Sequence, residues 1–143
     1  MTQMAKLFRA LADQNRLRIV NILSEHSICV CDLQLVLGLS QPFISRHLAY
    51  LRRAGLVRDR REGPRVCYSL APDSPAIQAL RAFLRAVLPT TETFQADLEL
   101  LRSLESSRKL KSLGLQIVTS QPGSAPPAGD EGQAKEDAGA QAA

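Results

Sequence analysis

Apolar residues recur three or four positions apart through the first part of the chain, which is the spacing of one helix face. This pattern predicts three amphipathic helices, over residues 3–12, about 14–24 and about 31–37. Asp13 is placed to cap the second helix, and Gly38 is placed to end the third. The N-terminal part of the chain is therefore predicted to be helical, with short connections.

A fourth helix begins after Ser40, because Pro42 falls in the first turn, where a missing backbone donor costs nothing, and Gly55 closes it. Its buried stripe is predicted to be Ile44, Leu48 and Leu51. Two helices joined by a three-residue turn that contains glycine are typical of a helix-turn-helix.

A β-hairpin is predicted next, with strands over residues 57–62 and 65–70 joined by Gly63 and Pro64. A hairpin that follows a recognition helix directly is a wing, placed to reach the neighbouring DNA backbone or minor groove. We therefore predict a mainly α fold with a small β-hairpin, a winged helix-turn-helix.

Another helix follows residues 72–74, and its apolar stripe is too wide for a small domain to cover. The fold is thus expected to be dimeric. The predicted dimer-interface residues are Leu7, Leu11, Ile77, Leu80 and Leu84. We expect a DNA-binding and dimerisation domain over 1–88, a helical extension over 89–118 and a disordered tail over 119–143, where Gly, Pro, Ala, Ser and acidic residues dominate.

Charge is distributed unevenly behind the formal net charge of +4. Residues 1–118 carry 17 Lys and Arg against 10 Asp and Glu, and seven arginines fall between positions 46 and 65. Such a cluster attracts a phosphate backbone through counterion release. The residues predicted to contact double-stranded DNA are Gln41, Ser45, Arg46, His47, Arg52, Arg58, Arg60, Arg61 and Arg65. Among them Gln41, Ser45 and Arg46 are expected to read bases. The sequence contains no predicted membrane span or signal peptide, so the expected compartment is the cytoplasm.

Three cysteines are too few for a disulfide scaffold, and in a reducing cytosol they are expected to be free thiols or ligands. Cys29 and Cys31 lie one residue apart at the start of a helix, where the helix N-terminus favours thiolates. Two close thiolates are soft ligands that prefer thiophilic ions. Cys67 stands alone on a strand, on the side of Arg65, and a lone strand cysteine is most often structural.

The segments ICVCDL, LSQPFISRHLAYLRRAGLV and GPRVCYSL resemble the ArsR/SmtB family of metal-sensing repressors, and the match covers about residues 4–88. CVCDL is similar to the arsenite- and antimonite-responsive branch. The resemblance implies a homodimer that occupies an inverted-repeat operator when metal-free, needs no cofactor to do so, and dissociates when As(III) or Sb(III) binds Cys29 and Cys31. It also makes His47 a candidate phosphate contact.

One departure from the family motif concerns the third metalloid ligand. The last cysteine of the family's CxCxxC motif is replaced by Gln34. The third donor is then a small-molecule thiol, a hydroxide or Cys67. The only histidines are His26 and His47, so the late helix lacks the zinc-responsive ligand set, and the absence of a cysteine before Cys29 removes the extra thiolate of the cadmium- and lead-responsive branch.

Other functions compete with this interpretation. The cysteines could instead form a thiol redox sensor on the same scaffold, in which Cys29 and Cys31, or one of them with Cys67, are oxidised to a disulfide. A DNA-binding regulator with a protein inducer, or with none, also fits. An enzyme is least favoured, because the chain lacks a glycine-rich phosphate loop, a cofactor fingerprint and a catalytic constellation around a nucleophile.

Overall fold

The computed structural model describes residues 2–72 and 74–114. Within them the helices are α1 (Gln3–Leu11), α2 (Gln14–Leu23), α3 (Val30–Leu37), α4 (Gln41–Arg53), α5 (Pro75–Val87) and α6 (Glu92–Ser112), with a 3₁₀ turn over Leu88–Thr90. The strands are β1 (Ile28–Cys29), β2 (Val57–Glu62) and β3 (Arg65–Leu70). Residues up to Ser106 pack as one compact unit, and the described part of a second unit, 107–114, consists of the last turns of α6 and the turn after it.

Local hydrogen bonds explain where the first helices begin and end. The Asp13 carboxylate accepts hydrogen bonds from the backbone N–H groups of Asn15 and Arg16 at 2.9 and 3.0 Å, which confirms its role as the cap of α2. Gly38 follows α3 with a φ of 68°, in the left-handed region that favours glycine. The turn between α3 and α4 is thus only three residues long, which fixes the helix-turn-helix.

The core joins one face of each of the first four helices. Ile19, Leu33, Ile44, Leu48 and Leu51 are fully shielded from solvent. The predicted stripe of α4 is confirmed, because all three of its apolar residues lie in this core. The opposite face of α4 is left free for other contacts.

A three-stranded antiparallel sheet has the order β1-β3-β2. The hairpin formed by β2 and β3 matches the predicted wing, with Val57 opposite Leu70 and Glu62 opposite Arg65. The two-residue strand β1 was not predicted. It pairs with β3 so that Cys29 lies opposite Cys67.

The apolar stripe predicted after residues 72–74 is partly buried by the chain itself and only partly exposed. Ile77, Leu84 and Leu88 are buried within the chain, whereas Phe83 and Val87 are 59% and 44% exposed. Helix α6 packs against α2. Its Asp97 accepts hydrogen bonds at 2.8 and 2.9 Å from Arg18 of α2.

Four residues predicted for the dimer interface are buried inside the single chain, namely Leu7, Leu11, Ile77 and Leu84, and Leu80 is half-buried. The same two helices expose Met4 and Phe8 on α1 and Phe83 and Val87 on α5. These four residues are therefore the large apolar side chains that α1 and α5 leave open to a partner.

None of the helices in the described ranges is both long and apolar enough to cross a membrane. The tail predicted over 119–143, and residues 115–118 of the predicted extension, lie outside the described residues.

Candidate nucleic-acid interface and thiol site

Helix α4 presents a polar face opposite its buried stripe. Gln41, Ser45, Arg46 and Arg52 are exposed on it. The Arg46 guanidinium lies 5.6 Å from the centre of the Phe43 ring, so the ring supports the cation without removing it from solvent. The residues predicted to read bases thus share one accessible face of the second helix of the helix-turn-helix.

The wing continues this basic surface. Arg58, Arg60, Arg61 and Arg65 are all exposed on its two strands. Arg60 forms an ion pair with Glu62 on the same strand. In addition, Arg52 of α4 reaches Asp59 of β2 at 3.3 Å, which ties the end of the recognition helix to the base of the wing. Helix and wing therefore form a continuous cationic surface.

His47 turns away from this surface toward α2. Its side chain is only 14% exposed, and its Nδ1 lies 3.5 Å from the Arg16 guanidinium and 3.9 Å from the Asp13 carboxylate. Burial lowers the pKa of His47, the Asp13 charge opposes this, and the nearby Arg16 and Arg46 lower the pKa further. These contacts favour a neutral packing residue that positions α4 on α2, and phosphate contact by His47 stays a prediction.

Arg16 and Tyr50 were missed by the sequence analysis. The Arg16 guanidinium stacks 4.1 Å from the centre of the Tyr50 ring, and its Nε donates to the Ala10 carbonyl at 2.6 Å. The stack holds the start of α2 against the middle of α4. Only a side-chain contact between distant residues creates it, so no local pattern could have revealed it.

Cys29 and Cys67 form a disulfide across the β1–β3 pair. Their Cα atoms are 3.8 Å apart, and each residue is 8% exposed. The expectation that all three cysteines are free thiols or ligands is therefore wrong for this structure. The physical reason is the unpredicted strand β1, which brings Cys29 directly opposite the face of β3 that carries Cys67.

Cys31 is exposed and has a free thiol. Its Sγ lies 3.8 Å from both a guanidinium nitrogen of Arg65 and the Asp32 carboxylate. Arg65 also donates to Asp32 at 3.3 Å, and Asp32 is only 4% exposed. Cys31 is thus in contact with the wing through Arg65, and Asp32, in the first turn of α3, pairs with the same arginine.

A cleft of about 420 Å³ lies between Cys29 and Cys31 on one side and helix α4 on the other. Its walls include Cys29, Cys31 and Gln34 from the α3 region, Gln41 and Ser45 from α4, and Arg65 from β3. With the disulfide closed, the described residues contain no group of three or more His, Cys, Asp or Glu side chains arranged to hold a metal ion. The cleft's cysteines supply soft sulfur donors, which suit a thiophilic ion once the disulfide is reduced.

The short turn between α3 and α4, the exposed polar face of α4 and the arginine-rich hairpin together define a winged helix-turn-helix DNA-binding protein. A profile of the bacterial regulatory protein, arsR family, matches residues 13–59.

Two curated relatives and one solved structure illustrate the similarity. The chain is 56% identical over 72 residues to the arsenical resistance operon repressor of Escherichia coli K12, covering 50% of this chain and 62% of the relative. It is 40% identical over 107 residues to the arsenic resistance transcriptional regulator ArsR1 of Pseudomonas putida KT2440, covering 74% of this chain and 81% of the relative.

The solved structure is a homodimeric winged helix-turn-helix DNA-binding domain from Mycobacterium bovis, described as a possible ArsR-family regulator. It matches with a TM-score of 0.54 and 30% identity, over 63% of this chain and 85% of that one. The chain therefore belongs to the ArsR family of bacterial regulatory proteins.

Proposed function

We propose that this protein is a homodimeric transcriptional repressor that binds an inverted-repeat operator when metal-free and releases it when As(III) or Sb(III) binds Cys29 and Cys31. One observation carries the proposal. Cys29 and Cys31 line the same cleft as Gln41 and Ser45, two exposed residues of the first turns of α4. The likeness to regulators of arsenic resistance supports the same class of inducer.

The geometry gives a mechanism for release. Cys29 occupies the N-cap position of α3, and Cys31 lies in its first turn. A chelate that joins the two sulfurs fixes their separation, so it pulls on the first turn of α3. Because Leu33 of α3 and Ile44 of α4 share the fully buried core, a shift of α3 displaces α4 from its register on DNA.

Thermodynamic linkage limits what the inducer can do. Metalloid releases DNA only as far as it binds the DNA-free dimer more tightly, and such couplings are typically about 1–3 kcal/mol. Operator DNA must weaken metalloid binding by the same factor. Equal metalloid affinities with and without the operator would contradict the proposal.

An inverted repeat requires two copies of the recognition helix. The exposed residues Met4, Phe8, Phe83 and Val87 supply an apolar surface for a second copy, in place of the buried leucines expected from sequence. The double variant Phe8→Glu/Phe83→Glu is expected to sediment as a monomer. Leu100→Glu, which changes another exposed apolar residue, on α6, is expected to remain dimeric.

The central experiment is operator release, followed by fluorescence anisotropy on inverted-repeat DNA with protein reduced beforehand. We expect As(III) and Sb(III), but not zinc or cadmium, to release the wild type. The double variant Cys29→Ser/Cys31→Ser is expected to bind DNA and to ignore the metalloids. Ser27→Ala, which removes a hydroxyl two residues before Cys29, is the matched control and should respond normally. Release of the double variant would refute the proposal.

A second candidate function, a thiol redox-sensing repressor, is favoured by the Cys29–Cys67 disulfide. Its inducer would be an oxidant instead of a metalloid. Release of the operator by peroxide alone, lost in Cys67→Ser, would support this function over the first.

A further inference from the structure

Cys67 lies where a third sulfur is needed. It faces Cys29 in the β1–β3 register, and the two sulfurs are close enough to bond. Once the disulfide is reduced, both thiols occupy the same small, largely buried space. A pair of thiols placed in this way suits a thiophilic ion that bridges them.

Cys31 approaches the same face of β3. Its sulfur contacts Arg65, which precedes Cys67 by two positions. Residues two apart on a strand lie on the same side of the sheet. Cys31 and Cys67 are therefore on one side of β3, with Cys29 opposite Cys67 on the neighbouring strand. The Cys31 side chain is exposed, so it can rotate without disturbing the core.

Gln34 also bears on the third ligand, because it occupies the position of the last cysteine in the CxCxxC motif. It is half-buried and lines the same cleft. An amide offers only a neutral oxygen or nitrogen, which are hard donors compared with a thiolate. Gln34 consequently cannot replace the missing soft ligand.

We propose that Cys67 is the third thiolate of the metalloid site, so that As(III) is held by Cys29, Cys31 and Cys67. The inference rests on the proposed function. A thiol reductant first cleaves the disulfide by exchange, and the reductant is itself oxidised to a disulfide. Arsenous acid, As(OH)₃, then exchanges three hydroxides for three sulfurs. Three thiol protons leave with them as three waters, and arsenic stays trivalent.

Closing this site requires movement, because the described residues hold no ready group of three ligands while the disulfide is intact. The first turn of α3 must draw toward β3 for Cys31 to reach the same ion as Cys67. Metalloid binding is then coupled to the wing strand as well as to α3.

Native mass spectrometry of the reduced protein tests the inference. A site with three thiolates loses three waters on binding As(OH)₃, whereas a site with two thiolates keeps one hydroxide and is heavier by one water. We expect the three-water loss for the wild type and the heavier adduct for Cys67→Ser. Thiol alkylation should agree, with all three cysteines protected in the wild type.

A rescue variant separates a missing ligand from a damaged fold. Gln34→Cys in the Cys67→Ser background returns a sulfur at the motif position, and we expect it to restore the three-water loss. Operator binding by each metal-free variant reports folding. A wild-type adduct that keeps its hydroxide, with Cys67 still open to alkylation, would overturn the inference while leaving the proposed function intact. Absence of any adduct with reduced wild type would instead overturn the proposed function.

Discussion

Reduction of the Cys29–Cys67 disulfide is expected to lower the free energy of unfolding. The size of the effect depends on the length of the loop that the bond closes. The bond closes a loop between residues separated by 38 positions. The chain-entropy model for a loop of this length gives about 4 kcal/mol of stabilisation at 25 °C. The bond also holds the start of α3 against β3 of the wing. Its loss therefore loosens a contact within the DNA-binding region.

Urea unfolding followed by circular dichroism, with and without reductant, measures this effect. With a slope of about 2 kcal/mol per molar urea, a loss of about 4 kcal/mol moves the midpoint down by roughly 2 M. Cys67→Ser is expected to unfold at the lower midpoint under both conditions. Cys31→Ser is the matched control, because it removes a thiol outside the disulfide, and it should keep the full response to reductant.

Two results would refute this reasoning. A wild-type midpoint that ignores reductant would mean that the bond contributes nothing to stability. A response that disappears in Cys31→Ser would mean that Cys31 takes the place of Cys29 or Cys67 in the disulfide.

Further predictions concern other parts of the molecule. Protein oxidised to the disulfide should stay on the operator in the presence of As(III), since the bond consumes two of the three sulfurs proposed for the site, and reductant should restore release in the anisotropy assay. Arg46→Ala is expected to weaken operator binding by about 1–3 kcal/mol and to relax preference at one base pair, whereas Arg102→Ala, an exposed change on α6, should leave binding unchanged. Asp97→Ala should lower the free energy of unfolding by about 1–3 kcal/mol, because it leaves the partly buried Arg18 of α2 with only a long hydrogen bond to the Leu37 carbonyl. Arg60→Ala, which breaks an exposed pair, should cost less than about 1 kcal/mol in the same urea experiment. The lowered pKa of His47 means that the folded protein binds protons less readily than the unfolded chain. Stability is therefore full above about pH 6.5 and falls as pH drops through the folded pKa, and His47→Gln should flatten that fall in urea midpoints measured from pH 7.5 to 5.

Much of the fold could be predicted because its signals are local. Apolar spacing, the Asp13 cap and the glycine after α3 lie within a few residues of the helices they define. The wing is equally local, since its strands are joined by a two-residue turn. These features are enough to place the exposed face of α4 and the arginines of the hairpin.

The thiol site was harder to predict, because its defining contact is not local. Strand β1 has only two residues, and its partner lies almost forty positions along the chain. Alternation correctly assigned Cys67 to the face of Arg65, but it could not show that Cys29 covers that face. The residues of the dimer interface were also hard to predict, because burial depends on contacts between distant parts of the chain. Helical spacing identified apolar residues on α1 and α5, but it could not show which of them the folded chain itself buries.

The thiols and the DNA-binding surface are adjacent, so their coupling needs no long pathway through the protein. One connection is the cleft, in which Cys29 and Cys31 face the same space as Gln41 and Ser45. The other is Arg65, a wing residue that contacts both Cys31 and Asp32. An ion bound to Cys31 must change the contacts of this arginine, because the sulfur that faces it becomes part of a chelate. Under the proposed function, recognition helix and wing are therefore both perturbed from a single site, and we expect a modest movement at the start of α3 to weaken both parts of the DNA contact.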